Sequence, residues 1–409
     1  MLRLEDFRTI IPDETLAEIY KRARGLYGKH IIHLNATYQG GGVAEILYSL
    51  ALLMNDVGID VGWRILHGSQ EFFEITKSFH NALQGAKLNL SERKKRTYLQ
   101  VNENFSKFTH LHHDCVIVHD PQPLSLIRSY RKSQPWIWRC HIDLTDPHKE
   151  LWSFLKGFLL KYDQVVFSSK KYFKTDLPVD QRLMLPAINP LSHKNMDISQ
   201  KNIIEHITKA GIPKDKPIIT QVSRLDPWKD PEGVIDVFKL VKEKVDCRLL
   251  FCYNVASDDP EGMRMYHKVQ RKANKLLKSG DILFVIGNNE TLVNSIQRFS
   301  SVIIQKSTKE GFCLCVTEAL WKGTPVVASN VGGIPSQIVD GKNGFLLEPR
   351  DNAGFAERII NILKHPKEAK NIGENAKETV RQKFLITRLL SDYLYMLNAV
   401  LNGTTKHLD

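Results

Sequence analysis

Nothing in this sequence approaches about eighteen consecutive apolar residues, which excludes a simple membrane-spanning helix. No basic segment followed by an apolar stretch opens the chain, since Met1-Leu2-Arg3-Leu4-Glu5-Asp6 is already charged. Cysteine is sparse: Cys115, Cys140, Cys247, Cys252, Cys313 and Cys315 are scattered, mostly within apolar runs. They suit reduced, buried thiols rather than a disulfide framework, and Cys313-x-Cys315 is too tight for the usual metal-ligand loops. His110-x-His112-His113-Asp114 offers adjacent ligands before a strand, which diverge, and no distant partner is evident, so no metal site is expected. Asp-x-Asp, the pattern that would hold magnesium on a diphosphate, occurs nowhere. Internal repeats and low-complexity segments are missing too. The expectation is a soluble, cytoplasmic protein with no membrane partner.

What is present is a core-forming chain. At 409 residues and 42% apolar content it can bury at least one large core, and its length allows two or three domains. The formal net charge of +12 could serve nucleic acid, an anionic membrane or an anionic small substrate. Its basic residues are dispersed, however, and short runs such as Arg93 to Arg96 and Lys268 to Lys278 read as solvated helix faces. A nucleic-acid partner is therefore not expected.

Strand-like runs at His30 to Leu34, Val61 to Leu66, Cys115 to His119, Trp136 to His141, Gln164 to Ser168 and Leu183 to Leu185 are separated by helix-length segments. Strands alternating with helices imply right-handed crossovers and a mainly parallel sheet. Pro186-Ala187-Ile188-Asn189-Pro190 reads as an extended interdomain segment, because its prolines resist helix. A second set follows at Ile218 to Val222, Arg248 to Tyr253, Ile282 to Ile286, Val302 to Ile304, Pro325 to Ala328 and Gly344 to Leu347. The expected division is 1–189 and 190–384, each doubly wound and Rossmann-like. Helices near Phe355 to Lys364, Ala369 to Lys383 and Leu385 to Leu401 close the chain.

Lys309-Glu310-Gly311-Phe312-Cys313-Leu314-Cys315-Val316-Thr317-Glu318 carries two glutamates with seven residues between them, running from a loop into a helix. Ligands of open α/β sheets collect at the carboxyl ends of strands, where helix amides favour a phosphate. A carboxylate at such a mouth would repel phosphate, so Glu310 should face uncharged hydroxyls, and Glu318, about two turns on, could chelate a ribose diol. Spacing alone equally permits two solvated helix-start residues. Arg224 and Lys229 lie five positions apart around Pro227, suited to the charge of a diphosphate leaving group; alternatively they are surface cations. Gly40-Gly41-Gly42 lacks the Gly-x-Gly-x-x-Gly spacing of dinucleotide sites and can instead let backbone approach a reacting centre. His141, at the end of an apolar strand, is either structural or points into a site, and Asp143 could be a helix cap, a substrate ligand or a nucleophile.

The stretch Glu310 to Glu318, followed by Trp321-Lys322-Gly323-Thr324-Pro325, Val331-Gly332-Gly333-Ile334 and Asp340-Gly341-Lys342-Asn343-Gly344, resembles the nucleotide-sugar domain of retaining glycosyltransferases of family four. Asn35 to Glu45, Trp63, Phe72 to Gly85, His119-Asp120-Pro121-Gln122-Pro123 and Trp138 to Asp143 are similar to the trehalose glycosyltransferring synthases, and the resemblance spans nearly the whole chain. It implies a GT-B architecture, two Rossmann-like domains facing across a deep cleft, with the last helix (about 385–409) returning to the N-terminal domain. By the same resemblance Arg224, Lys229, Glu310 and His141 are catalytic. Gly41, Gly42, Gly287, Gly311, Phe312, Cys313, Leu314, Cys315 and Glu318 join Arg224 and Lys229 around the donor nucleotide. Lys77, His80, Asp120, Gln122 and Asp143 are candidates for the acceptor. The implied substrates are a nucleotide diphosphate glucose, glucose and trehalose; no cofactor is required, though Mg2+ could stimulate. The oligomeric state is left open, a homodimer included. Most relatives have glycine where this chain has Cys313, which puts the backbone of that turn in question. Rival readings are a trehalose phosphorylase using inorganic phosphate, and a non-catalytic sugar-nucleotide or nucleic-acid binding protein.

Overall fold

A computed structural model describes residues 2–38, 41–254 and 260–403. The chain divides into two compact units, Met1–Ala187 with Ile386–Asp409, and Ile188–Leu385.

The first unit holds β1 (His30–Asn35), β2 (Asp60–Ile65), β3 (Cys115–His119), β4 (Trp136–Arg139), β5 (Gln164–Phe167) and β6 (Asp180–Leu183) in one parallel sheet. Their order is β2-β1-β3-β4-β5-β6. β3, β4 and β5 are buried along their whole length, as expected of central parallel strands covered on both faces. The apolar run Leu183-Met184-Leu185 predicts β6 three residues too late. The strand is a polar edge strand at Asp180–Leu183, and an edge needs no continuous apolar pattern. On one side, Phe72, Phe79, Tyr98, Trp136, Trp138 and Phe167 are sealed in a single cluster, each such side chain contributing about 1.5–3 kcal/mol. Helix Ile386–Asn402 belongs to this unit, and Asn398 donates to the carbonyl of Arg22 at 2.9 Å.

The second unit holds β7 (Ile218–Arg224), β8 (Arg248–Asn254), β9 (Ile282–Ile286), β10 (Val302–Gln305), β11 (Val326–Ser329) and β12 (Phe345–Leu347). They form a second parallel sheet in the order β12-β11-β10-β7-β8-β9. Val234, Phe238, Phe251, Val302 and Phe355 centre its core. Among the described residues no helix is long and apolar enough to cross a membrane. The six cysteines are free thiols, and all but Cys315 are buried.

Candidate active site

In the second sheet the chain runs from β7 outward through β8 and β9, then returns to build β10, β11 and β12 on the other side. The reversal lies between β7 and β10, and the carboxyl ends of strands at such a switch point are where open α/β sheets bind ligands. Arg224 ends β7 and Lys229 lies in the loop after it, while Glu310 lies in the loop after β10 and Glu318 in the helix that this loop enters. The two loops are joined to each other: Thr308 N donates to Trp228 O at 2.7 Å, Lys306 pairs with Asp230, and Lys229 Nζ pairs with Glu310 Oε2. Asp230 itself adopts φ 45° and caps helix Pro231–Lys242 through Gly233 N at 3.0 Å. A β-carbon at Gly233 would stand 2.1 Å from Asp230 Oδ2, so a larger residue there would have to shift the capping carboxylate.

Lys229 and Glu310 keep only 15% and 12% of their side-chain surface exposed. Burial alone would lower the lysine pKa, but the Glu310 and Asp226 carboxylates hold it above the ordinary lysine value. Lys229 is therefore a fixed cation near neutral pH. Glu310 also accepts from Ser307 Oγ at 3.3 Å, and Ser307 from Gln305 Nε2 at 2.9 Å. Arg224 differs: its side chain is 54% exposed and only loosely paired with Asp226 at 3.4 Å. One cation is thus locked beside a carboxylate and the other is open to an incoming anion.

Cys313 precedes helix Leu314–Trp321 at φ 76°, ψ 79°, in the left-handed region that favours glycine. This chain therefore retains a glycine-type turn with a side chain in it. Gln337, wholly buried, clamps the turn by donating to Phe312 O and, at 3.4 Å, to Cys313 O, while accepting from Thr317 Oγ1 at 2.6 Å. Gly333 N donates to Glu310 O at 3.1 Å, and a β-carbon there would fall 2.5 Å from Gly311 O. Phe312 is buried, whereas Leu314 and Cys315 are half-buried. Cys313→Gly should be more stable than Cys313→Ala by about 1–2 kcal/mol, because both lack the thiol and only one relieves the left-handed strain. Denaturant midpoints check this; equal midpoints would contradict it.

Glu318 lies inside that helix and is completely buried. Its burial would raise the carboxyl pKa, yet Lys194 at 3.1 Å and Lys322 outweigh burial and lower it. Gln297 Nε2 donates to its other oxygen at 3.3 Å. Burial pushes Lys322 down to about 7 despite Glu318, and its Nζ donates to Asn195 Oδ1 at 2.9 Å. Gly287, just past β9, donates its N–H to Tyr253 O at 2.7 Å, and a β-carbon there would meet Cys252 Sγ at 3.0 Å.

The first unit has its own switch point, between β1 and β3. Gly41 and Gly42 follow β1 and open helix Gly42–Asp56, and among the described residues no heavy atom comes within 4 Å of where a Gly41 β-carbon would be; Gln39 and Gly40 of the same motif lie outside the described residues. Asp120 and Gln122 follow β3, and His141 follows β4. The 120–122 turn is fixed from below by Tyr98 Oη donating to Pro121 O at 2.7 Å, Asn102 Nδ2 to Gln122 O at 3.0 Å and Trp138 Nε1 to Asp120 O at 2.9 Å. Those three supports have no local sequence signature. Asp120 sits at φ 59° and accepts the His141 N–H at 2.8 Å. His141 Nε2 lies 3.0 Å from His119 Nδ1, and His119 Nε2 lies 2.9 Å from His33 Nδ1. Asp143 is buried and closes a turn by accepting from Thr145 N at 2.9 Å and Thr145 Oγ1 at 2.6 Å; the next helix starts only at Lys149. Lys77 and His80 sit half-buried on helix Gln70–Leu83, whose Phe72, Ile75 and Phe79 enter the core.

Burial pushes the Asp120 carboxyl up to about 7, against the lowering effects of the His141 N–H and Arg139. A raised pKa in the folded state means that the native protein holds a proton the unfolded chain has released. Stability should therefore fall as pH rises from about 4 to about 7. Asp120→Asn, which keeps the acceptor and tolerates the left-handed backbone, should flatten that decline in thermal midpoints. An unchanged slope would contradict the assignment.

Among the described residues no group of three or more His, Cys, Asp or Glu side chains is arranged to hold a metal ion.

Two six-stranded parallel-sheet units define a GT-B glycosyltransferase fold, matched by an α,α-trehalose-phosphate synthase (UDP-forming) from Burkholderia xenovorans. The likeness has TM-score 0.73 at 14% identity, over 91% of this chain and 100% of the other. Residues 33–174 match the family described as trehalose synthase, N-terminal domain, and residues 202–379 match glycosyl transferases group 1. A trehalose synthase of Thermococcus litoralis is 47% identical over 97% of each chain. This chain belongs to the trehalose synthase family and is an enzyme of the glycosyltransferase type. A trehalose phosphorylase of Grifola frondosa is more distant, 28% identical over 88% of this chain and 56% of its own length.

Proposed function

We propose that this enzyme is a retaining glucosyltransferase that joins the anomeric carbon of an α-linked nucleotide diphosphate glucose to the anomeric oxygen of glucose, giving α,α-trehalose reversibly. The observation that carries the reading is the Lys229–Glu310 pair at the switch point of the second sheet, in a chain 47% identical over nearly its full length to a trehalose synthase. Arg224 and Lys229 are assigned the diphosphate, whose negative charge grows as the glycosidic bond breaks, so that fixed cations stabilise the transition state more than the ground state. Glu310 orients the transferred glucose through its hydroxyls, Glu318 holds the ribose, and His141 supports the sugar. Substitution on the front face needs no carboxylate nucleophile: the departing diphosphate oxygen takes the proton of the acceptor hydroxyl as the new bond forms. Asp143, committed to Thr145, fits a turn-forming role better than that of a nucleophile.

Incubation with each nucleotide diphosphate glucose and free glucose tests the reading, with a non-reducing disaccharide and nucleoside diphosphate as the expected products. A reducing disaccharide, or no reaction with any of the donors, would contradict it. Activity should persist after chelation, because no Asp-x-Asp occurs in the sequence and no three-ligand cluster among the described residues; added Mg2+ would act only by screening nucleotide phosphates. Complete loss restored by metal would contradict metal independence.

A further inference from the structure

His33 on β1, His119 at the end of β3 and His141 just past β4 form a continuous line of imidazoles across three neighbouring strand positions. In the parallel register His33 stands opposite Ile117 and His119 opposite Arg139. Side chains two positions apart share a face of the sheet, so each histidine lies on the same face as the last and one two-residue step nearer the carboxyl end. The rings are stacked at 5.2 and 5.3 Å, and the nitrogen separations of 2.9 and 3.0 Å are hydrogen bonds. His33 and His119 are fully covered. Burial, reinforced at His119 and His141 by the Arg139 guanidinium, holds all three below the ordinary histidine range and hence neutral.

A neutral imidazole carries one proton, so the two bonds must run in the same direction. If they run from His141 inward, the last proton resides on His33 Nε2, a buried nitrogen with no partner among the described residues. If they run outward, His33 Nε2 is an unfilled acceptor, and orphaned buried N–H groups are the rarer of the two. The outward direction leaves the final proton on His141 Nδ1.

We propose that His33 and His119 are positioning residues that lock His141 in the tautomer protonated at Nδ1, so that His141 offers a fixed N–H donor to a hydroxyl of the transferred sugar. This rests on the assignment of His141 to that sugar. The geometry gives the two buried rings His33 and His119 hydrogen-bond partners inside the sheet.

The test is nitrogen-15 NMR of histidine-labelled full-length protein near neutral pH, with the His141 signals identified by their loss in His141→Gln. The expected pattern is a protonated Nδ1 and a bare Nε2. His119→Phe should lower kcat/KM for the sugar nucleotide by about tenfold to a hundredfold while leaving affinity for the free nucleoside diphosphate unchanged. A His141 protonated at Nε2, together with impaired turnover in His141→Gln, would overturn the tautomer lock alone. Normal turnover in His141→Gln would overturn the sugar contact and the proposal with it. The NMR pattern of the unaltered protein decides the direction even if His119→Phe does not fold.

Discussion

Arg224→Ala and Lys229→Ala should each lower turnover by about a hundredfold to a thousandfold, the usual consequence of losing one preorganised charge opposite a developing anion. Acceptor binding should change far less, since both cations are assigned to the leaving group. The two variants should separate in stability. Arg224 is exposed and loosely held, so its loss should leave the thermal midpoint in place. Lys229 is almost enclosed with Glu310, and removing one partner of such a pair strands the other charge, so Lys229→Ala should also melt earlier. Near-normal turnover in both would refute the assignment of leaving-group charge to this loop.

The glutamates should fail in opposite ways. Glu310→Ala should abolish or severely slow glucosyl transfer while free nucleoside diphosphate binds at least as well as before. Removing an anion beside a phosphate site cannot weaken that site electrostatically, and the substitution also releases Lys229 from its pair. Glu318→Ala should instead weaken the nucleotide, because a ribose ligand acts in both free nucleotide and donor. Glu318 is buried against Lys194 with Lys322 close by, so Glu318→Gln is the companion variant: it keeps the side-chain shape and the oxygen facing Gln297. Calorimetric titration of these variants with nucleoside diphosphate, beside their turnover, should show lost affinity only at position 318. The reverse pattern would invert the placement of the donor along this helix.

The strands and helices that carry the site were legible because central parallel strands read as short apolar runs, of which Val302-Ile303-Ile304 is one, and because turn glycines punctuate them. The two-glutamate motif placed one carboxylate before a helix and one within it, as found in Glu310 and Glu318. What local pattern does not contain is partnership across the fold. Lys229 and Glu310 are 81 residues apart, and His33 and His119 are 86 apart. Nothing near Lys194 announces that it neutralises Glu318, or near Tyr98 that it supports the turn at Asp120. The edge strand at Asp180–Leu183 was misplaced for a related reason, since the adjacent apolar run obeys packing needs other than the strand's. Cys313 is the reverse case: the sequence raised the question of its backbone, and φ 76° answers it.

The most direct test of glucosyl transfer between nucleotide and trehalose is the reverse reaction. Purified enzyme is incubated with trehalose and either each nucleoside diphosphate in turn or inorganic phosphate, and the sugar product is identified by mass and anomeric configuration. The expected result is an α-linked nucleotide diphosphate glucose plus free glucose with at least one nucleoside diphosphate, and nothing with phosphate alone. Glucose phosphate formed from trehalose and inorganic phosphate, with no sugar nucleotide from any nucleoside diphosphate, would contradict it.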